Sequence, residues 1–210
     1  MRNRRADAYS YSRLYTALNR PQEFIDKYVW GIEPKPTEKM LLGKVCQQAA
    51  CGEPWKEDLK KYNLRRYEFK IEKFVKALCY PEGTQYEQEY TATIPTGELI
   101  LAYYDGRFLT GFAENKFGTF WDVKRALTDD QITLYSYLWF LNTGEIPEFV
   151  INSGESKTGK NRIFATYQVH DDQINMAKRT QSDFDRLERE FIQPGIRTIK
   201  ELLGPFSVTI

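Results

Sequence analysis

The hydrophobic pattern of this chain changes after Pro81 and Gly83. Before that point apolar residues recur three to four positions apart, which is typical of helices that bury one face. The predicted helices cover residues 9–19, 21–29 and 38–50, with one or two more over residues 55–79. In the last of these segments Phe69, Phe74 and Leu78 are predicted to share a face. The opening part of the chain is therefore predicted to be helical.

The segments that follow are rich in Tyr, Thr and Ile and are separated by turn residues, which is typical of strands. Three strands are predicted in succession, over residues 84–94, 98–104 and 107–116. The first turn falls at residues 95–97, and the second is Asp105-Gly106, a good hairpin turn. These three strands predict a meander at the centre of the fold.

The remaining residues predict helices on both sides of more strands. The sequence Thr128-Asp129-Asp130 is expected to cap a helix over residues 131–142. Strands are predicted over residues 149–153 and 162–169, and helices over residues 171–193 and 196–203. This order predicts an α/β fold with a central mixed sheet flanked by helices, in a single domain over residues 1–210.

Composition narrows the class of protein. Hydrophobic residues make up 41% and charged residues 28%, with a formal net charge of +1, as in an ordinary globular protein. No run of 18 apolar residues and no secretory signal occurs, so neither a membrane partner nor export is expected. Three cysteines without metal-site spacing indicate free thiols in a reducing, cytoplasmic compartment. A single histidine, His170, leaves no His-based zinc site or Ser-His-Asp triad that does not include it.

The motif with most chemistry lies across the second and third predicted strands. Asp105 ends one strand, and Glu114, Asn115 and Lys116 lie on the next. Because side chains alternate along a strand, Glu114 and Lys116 project to the same side. An antiparallel hairpin would bring Asp105 close to them. Two carboxylates and one ammonium are therefore predicted to converge.

This set suits the hydrolysis of phosphodiesters. Carboxylate oxygens bind Mg²⁺ or Mn²⁺, which lower the pKa of water and neutralise charge in the transition state. The predicted ligands are Asp105, Glu114 and, if the strand end twists, the backbone carbonyl of Asn115. Lys116 is predicted to position water or to offset charge. The alternatives are that Asp105 is a turn residue and that Glu114 and Lys116 lie on a solvated strand face.

A helix after the motif carries Gln131 and Tyr135, four residues apart and on one face. Gln131 is predicted to hydrogen-bond near the metal or water. Taken with three other segments, this helix resembles the PD-(D/E)XK nuclease superfamily, in its RecB-like branch of phage recombination exonucleases and CRISPR-associated exonucleases. The segments, in order, are Tyr11-Ser12-Arg13-Leu14 with Pro21-Gln22-Glu23-Phe24, Gly43-Lys44-Val45-Cys46, and Asp105 with Glu114-Asn115-Lys116.

The resemblance implies a restriction-endonuclease-like core and Mg²⁺- or Mn²⁺-dependent cleavage of DNA, from single- or double-stranded ends rather than at a specific sequence. It also implies that the protein acts in the cytoplasm of a prokaryotic or phage-infected host cell, with a recombination or replication protein as a candidate partner. The family's metal-binding histidine is replaced by Cys46, and the glycine common before its first aspartate is replaced by Ala102. No cysteine follows Cys79, so the iron–sulfur cluster of some relatives is not expected.

Several further residues are candidates with open alternatives. Cys46 is a ligand or a small core residue, and Glu89 a further carboxylate or part of a solvated strand. Tyr135 is a candidate site residue on the Gln131 face. Phosphate contacts are predicted for Arg13, Lys124, Lys157 and Lys160, although a solvated lysine loop explains the last two equally well. The rival function is a nuclease-like module that binds DNA or a protein without cutting.

Overall fold

A computed structural model describes residues 8–78, 80–117, 121, 123–154 and 179–204 of the chain. Side chains are described throughout these ranges except at Val123, Lys124 and Gly154. The predicted strand over residues 162–169, the start of the helix predicted from residue 171, and His170 lie outside the described residues. So do Cys79, Lys157 and Lys160.

The elements follow one another in the predicted order, with one short strand before the first helix. The strands are β1 (Ala8–Ser10), β2 (Gln85–Thr93), β3 (Leu99–Phe108), β4 (Gly111–Phe117) and β5 (Glu148–Gly154). The first helices are α1 (Tyr11–Asn19), α2 (Pro21–Tyr28), α3 (Glu38–Ala50), α4 (Lys56–Lys61) and α5 (Glu68–Ala77). The later helices are α6 (Val123–Thr128), α7 (Asp130–Thr143), α8 (Gln181–Leu187) and α9 (Gln193–Leu203).

The helix starts follow from their capping residues. Ser10 and Thr37 accept hydrogen bonds from the third backbone N–H of α1 and α3, and Pro21 opens α2 where no intrahelical donor is lost. The carboxylate of Asp129 accepts from the N–H groups of Gln131 and Ile132 at the start of α7. Local sequence therefore fixes where the helices that frame the site begin.

Five strands form one mixed sheet, flanked by helices. β2 pairs antiparallel with β3 along nearly its whole length, and β4 pairs antiparallel with the last residues of β3. β1 is parallel to β3, and β5 is parallel to β4. The predicted α/β fold with a central mixed sheet is confirmed.

The main core lies between this sheet and α7. Every residue of α7 from Ile132 to Trp139 is buried, as expected for a helix that is apolar on all sides. Tyr104 and Phe112 stack against each other on the sheet, with ring centroids 4.8 Å apart, and Tyr135 packs edge-on against both. This packing fixes α7 above β3 and β4.

A second hydrophobic cluster is built by the helices of residues 38–78. Its buried members all come from α3 to α5 and the short 3-10 turn between them: Leu42, Val45, Ala49, Leu59, Leu64, Tyr67 and Ile71. Phe117, on β4, packs at its border. The helices of residues 38–78 therefore have their own core and meet the sheet along β4.

Three local predictions are wrong. β3 continues through Asp105 and Gly106, and the hairpin turn lies at Leu109 and Thr110. Phe69 is 65% exposed and does not share the buried face of Phe74. The C-terminal helices are not separated near Gln193, because a π-helical turn (Glu188–Ile192) joins α8 directly to α9.

Two glycines explain the displaced turn. A Cβ on Gly106 would lie 2.8 Å from Thr84 Cγ2, so this glycine serves close packing within the sheet. A Cβ on Gly111 would lie 1.9 Å from the backbone oxygen of Glu148, so only glycine lets β5 approach the start of β4.

In the described part of the chain, the helices are too short or too polar to cross a membrane.

Candidate active site

The candidate site lies where β3 and β4 separate. A strand has two hydrogen-bonding edges, and β2 takes one of them along residues 99–107 of β3. β1 and β4 share the other edge, at Leu99–Leu101 and Gly106–Phe108 respectively. Beyond the pair Gly106–Ala113, β4 leaves β3 and continues beside β5. The candidate site is therefore inside the sheet, between two diverging strands.

Asp105 stands at the point of separation. Its Oδ2 accepts a hydrogen bond of 2.8 Å from the backbone N–H of Asn115. The regular alternation of faces is broken here, since Tyr104 donates to the carbonyl of Tyr135 on α7, whereas Gly106 faces Thr84 and Tyr80. Across β2, the residue opposite Asp105 is Glu87, whose φ of 53° is left-handed. Both strands are thus distorted at the level of Asp105.

Glu114 and Lys116 project to the α7 side of β4, as predicted. Lys116 Nζ lies 2.6 Å from Glu114 Oε1 and donates to Gln131 Oε1 at 2.8 Å. The amide nitrogen of Gln131 donates to Glu114 Oε1 at 3.1 Å and to the hydroxyl of Tyr135 at 2.9 Å. Gln131 therefore joins the carboxylate, the ammonium and the tyrosine in one closed network.

The charges of this network are set by burial and by neighbouring carboxylates. Burial alone would lower the pKa of Lys116, but Glu114, Asp105 and Asp129 outweigh it, and the pKa lies above its ordinary value. Burial, with Glu114 nearby, raises the pKa of Tyr135 well above its usual range. At neutral pH Lys116 is thus an ammonium and Tyr135 a neutral phenol.

On the opposite face of β4, the side chain of Asn115 hydrogen-bonds to uncharged side chains. The side-chain oxygen of Asn115 accepts from Tyr80 at 2.9 Å and from Asn152 at 3.1 Å. Its amide donates to Gln47 Oε1, on α3, at 2.9 Å. Asn152 is fully buried. These contacts fix the backbone of Asn115, including the N–H group from which Asp105 accepts a hydrogen bond.

The contribution of α3 to the site comes from Gln47. Cys46 is 2% exposed and packs against Phe74. Burial, and then the charge of Asp105, raises the pKa of the Cys46 thiol well above its usual value. Gln47 instead donates to Glu87 at 3.2 Å as well as accepting from Asn115. Of the two interpretations left open for Cys46, the packing residue agrees with this burial.

A cavity of about 370 Å³ opens beside Asp105, on the α3 side of the sheet. Its lining residues are Lys44, Gln47, Gln48, Cys51, Glu53, Glu87 and Asp105. Glu87 and Gln47 were not among the predicted site residues. Gln47 lies four residues after Gly43 on the same helix face, a spacing that could have identified it, whereas no local signal marks Glu87.

The donor set fits a hard divalent cation. Glu114 is 5% exposed, and its Oε2 has no hydrogen-bond partner among the described residues. A buried carboxylate oxygen without a partner is costly, and a cation would satisfy it. Within the described ranges no three His, Cys, Asp or Glu side chains form a metal cluster.

Other predicted site residues lie elsewhere. Glu89 accepts from Tyr103 at 3.1 Å on the exposed surface of β2 and β3. The guanidinium of Arg13 donates to the carbonyl of Ala8 and lies over the rings of Tyr9 and Tyr28. The side chain of Lys124 lies outside the described residues, as do Lys157 and Lys160. The phosphate contacts proposed for these four basic residues stay predictions.

Comparison with known proteins gives a likeness in fold. No protein-family model and no curated protein sequence matches the chain. A crystal structure of a "Putative exonuclease" from Eubacterium rectale superposes with a TM-score of 0.66 at 16% sequence identity. The match covers 95% of this chain and 82% of the other. At this identity the comparison shows a shared fold.

Proposed function

We propose that this chain is a divalent-metal-dependent deoxyribonuclease that hydrolyses phosphodiester bonds from DNA ends. One observation carries the proposal: Glu114, buried with an oxygen that lacks a hydrogen-bond partner among the described residues, contacts Lys116 and Gln131 beside the point where β3 separates from β4. The fold is shared with a protein described as a putative exonuclease, which supports the same reaction class. A cytoplasmic location and a recombination or replication partner belong to this proposal as sequence-based expectations.

Asp105, Glu114 and the backbone carbonyl of Asn115 would hold Mg²⁺ or Mn²⁺. When bound, the cation supplies an activated water and neutralises negative charge on the phosphate. Lys116 serves as a charge stabiliser, because a lysine side chain ordinarily carries an ammonium group at neutral pH and this one lies beside the proposed metal ligand Glu114. As an ammonium it donates to the phosphate oxygens as negative charge develops on them.

Gln131 and Asp105 orient the other groups. Gln131 contacts both Lys116 and Glu114 and thereby keeps the ammonium on the side of the carboxylate. Asp105 accepts from the Asn115 N–H, which belongs to the Glu114–Asn115 peptide, and so fixes β4 directly before the Asn115 carbonyl that is a proposed ligand. Tyr135, which burial keeps neutral, accepts a hydrogen bond from the Gln131 amide and holds that side chain in place.

The test is degradation of linear DNA by the purified protein with Mg²⁺ or Mn²⁺, with and without EDTA. We expect cleavage with either metal, none with EDTA, and none with Glu114→Gln, a nearly isosteric change that removes the charge. Cleavage that persists in EDTA would contradict the metal mechanism. DNA binding without cleavage of any linear or circular substrate would favour the binding module.

A further inference from the structure

Lys44 of α3 lines the cavity beside Asp105 and contacts Tyr62, whose ring also lies near Lys61 at the end of α4; together with Gly43 these residues form a basic rim next to the cavity. We propose that this rim, made by Gly43, Lys44, Lys61 and Tyr62, binds the phosphate backbone of a single DNA strand that leads into the site. The inference rests on the proposed function and deepens it by naming the form of DNA that the site receives. We call these four residues the α3–α4 rim.

Gly43 provides the first observation. It lies in the interior of α3, where glycine costs roughly 0.5–1 kcal/mol relative to alanine. A Cβ placed there would meet nothing within 4 Å, so close packing does not require the glycine. Its φ is not left-handed either. What the missing side chain leaves is open space above the helix, one turn before Gln47 and next to Lys44.

Lys44 and Lys61 provide the second observation. Both ammonium groups lie beside the ring of Tyr62, each 5.6 Å from its centroid. Lys44 also donates to the Tyr62 hydroxyl at 3.2 Å, and Asp58, at 3.8 Å, offsets part of its charge. Two ammonium groups are thus held at one tyrosine, and a phosphate oxygen that approaches either of them meets favourable charge.

The α3–α4 rim, where phosphate is proposed to bind, differs in charge from the lining of the cavity, which is mostly acidic. Glu53, Glu87 and Asp105 line it, and Lys44 is its one basic lining residue within the described ranges. An anion therefore meets favourable charge at the rim and not at the floor. The volume of about 370 Å³ is near the lower end of ligand pockets, roughly 300–1,000 Å³, which suits one nucleotide rather than a base pair.

Charge distribution along the chain points the same way. Residues 38–78 contain ten Lys and Arg against six Asp and Glu, in a chain whose formal net charge is only +1. Some of these charges are neutralised locally, as Lys56 is by Glu68 and Glu72. The helices of residues 38–78 are thus the basic part of the molecule, and the rim is where they border the cavity.

The experiment measures binding of a fluorescent 20-nucleotide single strand by anisotropy, in EDTA so that cleavage does not interfere. Lys44→Ala with Lys61→Ala should weaken binding at least tenfold at low salt. The slope of log affinity against log salt should fall by about 1.4, or about 0.7 for each lost phosphate contact. Arg189→Ala with Arg197→Ala, an equal loss of two charges at exposed positions of the C-terminal helices, is the matched control and should bind as wild type.

Gly43→Leu separates binding from folding. Leucine favours helix over glycine, so this variant should unfold at higher urea concentration than wild type. Its side chain would fill the open space, so single-strand binding should nevertheless weaken at least tenfold. Gly43→Leu that is more stable and binds normally would overturn the proposal.

The remaining outcomes separate the two proposals. If wild type cleaves DNA and all rim variants bind and cleave like it, the rim inference fails and the nuclease proposal stands. If wild type neither binds nor cleaves DNA, the proposed function fails. If the rim variants lose blunt duplex binding while single-strand binding is unchanged, the single-strand assignment is wrong.

Discussion

The two faces of β4 are built from different kinds of side chain. On the α7 face, Glu114 and Lys116 carry opposite charges and meet Gln131 from a single helix. On the α3 face, the side chain of Asn115 hydrogen-bonds to neutral groups from three separate parts of the chain. The comparison indicates two roles: the side chains of one face form an ion pair, and the side chain of the other face fixes the backbone that carries them.

The largest expected effect tests the charged face. Lys116→Ala should lower the turnover rate by about 10²–10³, or roughly 3–4 kcal/mol, because one stabiliser of transition-state charge is lost. Mn²⁺ binding, measured by calorimetry, should be retained, since both carboxylates remain. Asp105→Ala should lose metal affinity and activity together.

The control for this change is Lys200→Ala, whose ammonium pairs with Glu98 before the start of β3, at the far end from Asp105. Its activity should match wild type. A Lys116→Ala protein with near wild-type rates would mean that the charged face is not the catalytic one.

The next effect tests the neutral face. Asn115→Leu would leave Tyr80, Asn152 and Gln47 without their shared partner. Losing hydrogen bonds costs about 1–3 kcal/mol for each buried polar group that is left unsatisfied, so the free energy of unfolding in urea should fall by at least that amount. Turnover by the folded protein should fall less than in Lys116→Ala.

Asn19→Ala, at an exposed asparagine of α1, provides the reference and should change stability by roughly 0.5 kcal/mol or less. If Asn115→Leu were as stable as wild type yet hundreds of times slower, the two faces would not divide as described.

The smallest expected effect tests which residue of α3 faces the proposed metal. Gln47→His should tighten Mn²⁺ binding about tenfold, or about 1.4 kcal/mol, because imidazole is a better ligand than an amide and Gln47 lines the cavity with Asp105. Calorimetric titration measures it. Cys46→His should bring no gain and cost about 1–3 kcal/mol of stability, because the ring would be forced against Phe74. If Cys46→His tightened Mn²⁺ binding and Gln47→His did not, position 46 rather than position 47 would face the metal.

Local rules explain why one face could be predicted and the other could not. Strand alternation placed Glu114 with Lys116, and helical spacing placed Gln131 with Tyr135; both contacts are confirmed. The hydrogen bonds of Asn115 instead join residues 35, 37 and 68 positions apart. No spacing rule reaches that far, so Gln47, Tyr80 and Asn152 were missed.

The order of helices and strands was predictable for a similar reason, and the errors lie where tertiary contacts override propensity. Asp105-Gly106 has the composition of a hairpin turn, but pairing with β2 continues past it to Arg107. Close approach of Glu148 requires glycine at position 111 and thereby sets where β4 begins. Such approaches between distant segments leave no periodic signal in the sequence.

The separate hydrophobic cluster of residues 38–78 has a consequence for how the molecule assembles. Its buried members lie within thirty residues of one another, so it can form from short-range contacts, whereas β1 must pair with a strand about ninety positions away. We expect the cluster to behave as a cooperative unit that opens and closes at its own free energy. Because Gln47 belongs to this unit and Asn115 to the sheet, the hydrogen bond between them forms only when the two have docked.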